Sequence, residues 1–135
     1  MLGTALHGDA VAKGEGDYVT EVDHAAEALI SQMLTSDFPD IPIQAEEGGG
    51  SASERYWCVD PLDGTTNFIH GFPAVGVSIA LIEDGRPTVG VVHAPFLAQT
   101  YVAQRGKGAF LRDDQGDHPL HVSTRVPQQS VLATG

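Results

Sequence analysis

The chain has 135 residues, enough for one compact domain with its own core. Asp and Glu number 18 against 7 Lys and Arg, a formal charge of −11, and such a surface repels nucleic acid and anionic membranes. No apolar run is long enough to span a bilayer, no export signal opens the chain, and the single Cys58 can form no internal disulfide, which together suit a reducing cytoplasm.

Residues 1–16 hold many Gly and Ala without a period and read as a loop. Thr20 to Asp37 reads as a helix, because Val22, Ala26, Leu29, Ile30 and Met33 recur at steps of three and four and make one apolar face. Thr20 suits the N-cap, Glu21 and Asp23 suit the first turn, and Phe38-Pro39 ends the helix. Ile41 to Ala45 reads as a strand with Glu46-Glu47 at its end, followed by a Gly-rich loop from Gly48 to Ser53. Tyr56 to Asp60 is the next strand, with Trp57 and Cys58 expected in the core. Thr65 to His70 can form one helical turn, closed by Gly71.

From Ala74 the period changes to two. Val75, Val77, Ile79 and Leu81 fall on one face, and the small Ala74, Gly76, Ser78 and Ala80 on the other, where a helix can pack close. Asp84-Gly85 is a hairpin turn, and Thr88 to Ala94 returns. Gln99 to Gln104, Gly108 to Leu111 and Leu120 to Ser123 are further strands, and Ser130 to Thr134 resembles the start of another. The expected fold class is α+β, with helix packed on a mainly antiparallel sheet.

The chemistry concentrates in Asp60-Pro-Leu-Asp-Gly-Thr-Thr-Asn-Phe68, at the end of a strand. Pro61 bars a helix through Asp60 and forces a sharp turn that aims the Asp60 and Asp63 carboxylates at one spot. The Leu62 carbonyl can face the same point, and two carboxylates with a carbonyl are oxygen ligands of the kind Mg²⁺ accepts. Gly64 permits close approach, and the N–H groups of Gly64 and Thr65 open the next turn as an anion site. No Lys or Arg lies between Arg55 and Arg86, so the cations that would hold a phosphate here must come from solution. No Lys-bearing phosphate loop occurs. The six His residues form no metal set; His118 and His121 straddle Pro119, and His70 merely follows the acidic segment.

This segment resembles the signature of the inositol monophosphatase family. Gly16-Asp-Tyr-Val-Thr-Glu-Val-Asp23 is similar to that family's Asp-x-Val-Thr-x-x-Asp stretch, Ala45-Glu-Glu-Gly48 to its Gly-Glu-Glu, and Gly106-Lys-Gly-Ala-Phe110 to a further one. The resemblance implies the N-terminal half of the αβαβα sugar-phosphatase fold, with residues 1–135 as a single metal- and phosphate-binding domain truncated before a second α/β domain. It implies Glu46, Asp60, Asp63 and the Leu62 carbonyl as Mg²⁺ ligands, with Glu47 near a weaker ion. It implies that Thr65 and Glu46 orient the attacking water, that Asp23 bonds the Thr65 hydroxyl, and that Asp63, Gly64 and Thr65 bind the substrate phosphate.

The expected function is therefore Mg²⁺-dependent hydrolysis of a small phosphorylated metabolite by direct water attack. The partners expected are that metabolite and a second copy of the chain in a homodimer, and neither nucleic acid nor membrane. The family's Trp-Asp-x-Ala-Ala-Gly motif, which completes a second metal site, does not occur. The alternative is an inactive fragment that binds metal and phosphate or pairs with another chain. An aspartyl-nucleophile phosphatase is disfavoured, because that chemistry wants a second Asp where Leu62 stands.

Overall fold

A computed structural model describes residues 11–12, 18–19, 21–45 and 53–130. Two short antiparallel strands, β1 (Val11–Ala12) and β2 (Tyr18–Val19), form a separate ribbon, so part of the stretch read as loop is strand. Helix α1 spans Glu21–Asp37 and closes through Phe38 N–H on the Leu34 carbonyl, one residue before Pro39. Strand β3 is Ile43–Ala45, β4 is Arg55–Asp63, and α2 is the single turn Thr65–Ile69. Strands β5 (Gly76–Glu83), β6 (Arg86–Ala94), β7 (Gln99–Gln104), β8 (Gly108–Asp113) and β9 (Gly116–Leu120) complete the described sheet.

The seven strands β3 to β9 lie in chain order. Only β3–β4 is parallel; every other pair is antiparallel. The β5–β6 hairpin turns through Asp84 and Gly85 at φ 51° and 69°, the left-handed pair that matches the twist of the flanking strands. The expected mainly antiparallel α+β architecture is what the structure shows.

Cross-strand pairing sorts the side chains onto two faces. Trp57 pairs with Leu81 and Val59 with Ile79, and these four lie on the face that α1 covers. There Ile41, Trp57, Val59 and Leu81 form the core, with Ile30 and Leu34 of α1 packed against it and Phe38 tilted on the Trp57 ring. The opposite face carries the row Cys58, Ala80, Gly90, Ala103, Ala109 and Leu120. Its small side chains leave an open hollow of about 210 Å³.

Four further expectations are corrected. The small-residue face of Gly76, Ser78 and Ala80, expected to take a helix, carries none among the described residues; α1 packs instead on the face of Ile79 and Leu81. Cys58 is exposed rather than in the core, because it alternates with Trp57 and Val59 and points to the uncovered face. Leu29 and Met33 of α1 are each 58% exposed; the buried stripe is rotated toward Ile30 and Leu34. The last strand ends at Leu120 instead of starting there. Asp113 Oδ1 accepts from Gln115 N–H at 2.8 Å and shapes a tight turn, and the Arg112 guanidinium grips both Asp117 carboxylate oxygens at 2.6 and 2.8 Å, locking β9 into that register. The strand expected from Ser130 to Thr134 lies outside the described residues except for Ser130, which follows a short 3-10 turn at Pro127–Gln129.

Candidate metal and phosphate site

The site is built where β4 breaks its own ladder. Asp60 pairs with Ser78, but the next pair is Asp63 with Gly76, so three steps along β4 oppose two along β5. This is a β-bulge, and it falls at Pro61, which has no N–H to give to a ladder. In a regular strand, residues three apart point to opposite faces. The extra residue cancels that alternation: Ser78 and Gly76 share a face, and so do their partners Asp60 and Asp63.

The bend that follows is held by its own polar groups. The Leu62 N–H donates to Asp60 Oδ1 at 3.1 Å, and the Thr65 hydroxyl donates to the Leu62 carbonyl at 2.9 Å. Gly64 then takes φ 85° and ψ 37°, a left-handed conformation that strains any residue with a Cβ. A Cβ there would also lie 2.7 Å from the Ala74 carbonyl oxygen. The Phe68 N–H closes on Gly64 O at 3.0 Å and starts α2.

Electrostatics mark the same place. Burial raises the Asp60 carboxyl above its ordinary range; the Leu62 N–H opposes this, and the Asp63 and Asp23 charges add to it. The first turn of α1, where Asp23 sits, therefore acts on the end of β4. Negative groups gathered without Lys or Arg between Arg55 and Arg86 suit a hard cation. Among the described residues, Asp60, Asp63 and the Leu62 carbonyl bring to this bend oxygen atoms of the kind such a cation takes.

Among the described residues, no three His, Cys, Asp or Glu side chains converge into a complete metal cluster. Glu46 and Glu47, expected to supply ligands, lie outside the described residues. Asp60, Leu62, Asp63, Gly64 and Thr65 are adjacent at the bend. The Thr65 hydroxyl, expected to bond Asp23, is directed at the Leu62 carbonyl in this structure. The sequence assigned no role to Asn67 and gave Ala74 only a place on the small-residue face, yet Asn67 Nδ2 donates to the Ala74 carbonyl at 2.8 Å beside Gly64. The only signal in the sequence was the position of Asn67 inside the motif.

Known proteins carry the same frame. A "Fructose-1,6-bisphosphatase/inositol-1-monophosphatase" of Thermotoga maritima is 44% identical over 109 residues, covering 79% of this chain and 43% of the relative. A "Nus factor SuhB" of Haemophilus influenzae is 44% identical over 131 residues, covering 94% and 48%. The solved extragenic suppressor protein suhB of Bartonella henselae superposes with a TM-score of 0.79 at 38% identity, covering 89% of this chain and 47% of that one. A solved IMPase/NADP phosphatase complexed with Mg²⁺ and phosphate superposes with a TM-score of 0.70 at 29% identity, covering 77% and 41%. The chain thus spans about half the length of the curated relatives it matches. The family model described as the inositol monophosphatase family matches residues 2–135, and with the bulged acidic bend in place the chain belongs to that family.

Proposed function

We propose that the chain is the metal- and phosphate-binding part of a Mg²⁺-dependent phosphomonoesterase acting on a small phosphorylated metabolite in the cytoplasm. The observation that carries this is the bulge that sets Asp60 and Asp63 on one face, with the Leu62 carbonyl between them. Mg²⁺, when bound, lowers the pKa of water and offsets the charge of a phosphate dianion. Asp60 and Asp63 would hold it, joined by the Leu62 carbonyl and by Glu46. Burial raises the Asp60 carboxyl above its ordinary range, and the Asp63 and Asp23 charges add to this; a bound cation would offset that repulsion.

The Thr65 hydroxyl and Glu46 orient the attacking water. Asp23, in the first turn of α1, takes the Thr65 proton once that hydroxyl leaves the Leu62 carbonyl. The N–H groups of Gly64 and Thr65 hold phosphate oxygens, and the absence of a Cβ at Gly64 lets the bend pack against the Ala74 carbonyl. The relatives whose names include inositol-1-monophosphatase, and the family match, support this chemistry.

A second reading is a chain that holds metal and phosphate without turnover; it is supported by the fact that, among the described residues, no third His, Cys, Asp or Glu completes a metal cluster with Asp60 and Asp63. Phosphate release from inositol 1-phosphate and fructose 1,6-bisphosphate, measured with and without Mg²⁺, separates the two. The expected result is Mg²⁺-dependent release that falls to background in Asp63→Asn. Turnover that survives that change removes Asp63 from the site, and binding of Mg²⁺ without turnover favours the second reading.

A further inference from the structure

Asn67 occupies a position that the reading of the acids leaves without a role. Its Nδ2 donates to the Ala74 carbonyl at 2.8 Å, and its own carbonyl accepts from the Phe72 N–H at 2.8 Å. One residue thus holds both ends of segment 72–74, whose middle member, Pro73, has no N–H to contribute.

The Ala74 oxygen it grips is the atom that a Cβ on Gly64 would strike at 2.7 Å, so the bare Cα of Gly64 rests against it. Two residues later, Gly76 pairs with Asp63. The Asn67–Ala74 bond therefore closes a ring that runs from Asp63 through Gly64 and α2 to Ala74 and back across the strand pair. The Asp63 side chain is exposed and has no hydrogen-bond partner among the described residues, so the backbone alone sets its place.

We infer that Asn67 is a positioning residue. By clasping Ala74 to the bend it sets the placement of Asp63 relative to Asp60, and with it the affinity of the pair for a divalent cation. This rests on the proposed reading of Asp60 and Asp63 as metal ligands. A side chain that holds a ligand without touching the metal typically changes affinity by about 10–100-fold when removed.

The test compares the full chain with Asn67→Ala and Asn67→Gln. Mg²⁺ affinity is read by calorimetry, folding by thermal melts, and the bend by the amide resonances of Asp63 and Gly64. The expected result is Mg²⁺ binding about tenfold weaker in N67A with a cooperative melt retained. N67Q, which keeps the amide donor, recovers most of the loss. Unchanged affinity in N67A overturns the inference, as does equal weakening in both variants. Loss of the cooperative melt in N67A also overturns it, since Asn67 would then hold the fold rather than place a carboxylate. If the unaltered chain binds no Mg²⁺, the proposed function fails instead. The clasp is then judged on the amide resonances, which shift in N67A if it holds the bend and stay in place if it does not.

Discussion

Asp60 is the residue at which stability and function pull apart. Its carboxyl is disfavoured as an anion by burial and by the charges of Asp63 and Asp23, and the Leu62 N–H recovers only part of that cost. Replacing Asp60 by Asn keeps an oxygen for the Leu62 N–H and removes the charge. The metal-free chain should then melt higher at neutral pH, by roughly 1–3 °C, because the partial exposure of the group screens the repulsion. The same variant should lose the stabilisation that Mg²⁺ gives the unaltered chain; paired melts with and without Mg²⁺ check both signs. The pairing of the two acids was legible in Asp-Pro-Leu-Asp, but the sharp turn expected at Pro61 is a bulge instead, since β4 runs on to Asp63 and only the ladder register breaks at the residue that lacks an N–H. Asn67 was not legible, because its function is a bond to the carbonyl of a residue seven positions on, and sequence carries no sign of which carbonyl will arrive there.

At the scale of elements, β4 joins the core to the site. Val59 is 1% exposed, packed in the core cluster, and it precedes Asp60 directly. Val59→Ala should cost about 2 kcal/mol through lost burial and the cavity left behind, measured by denaturant unfolding. Periodicity located α1 and most strands within a few residues, since alternation and three-to-four spacing are properties of the local chain. It did not say which stripe of α1 faces inward. Leu29 and Met33 satisfy the helical period as well as Ile30 and Leu34 do, and only the angle at which the helix meets β3 and β4 chooses between them. The last strand was misplaced for a related reason. Its composition, Gly-Asp-His-Pro-Leu, is poor in strand formers, and its pairing is set by the Asp113 turn and the Arg112–Asp117 ion pair.

Across the whole molecule, the sheet has one face under α1 and another bearing an open trough of small side chains. Cys58 lies on that second face. Its thiol should therefore react with an aromatic disulfide reagent in the native chain about as readily as after unfolding. Protection in the native state would mean that something covers the trough. Sequence missed this because Tyr-Trp-Cys-Val is apolar throughout, and a strand covered on both faces looks the same as one covered on a single face. The net charge of −11 leaves few Lys and Arg to attract an anion, so the proposed phosphate binding requires a cation from solution.

The kink between Asp60 and Asp63 has an effect beyond aiming side chains. Were one residue deleted there, the two acids would sit two apart on an uninterrupted strand and would still face the same way. What would vanish is the liberty of the peptide between them, whose oxygen would be drawn sideways into the neighbouring strand. The surplus residue leaves that oxygen with lone pairs to spare, and the Thr65 hydroxyl already uses one of them. The strand gives up regular pairing at a point where a main-chain oxygen shared with the Thr65 hydroxyl is worth more than another rung.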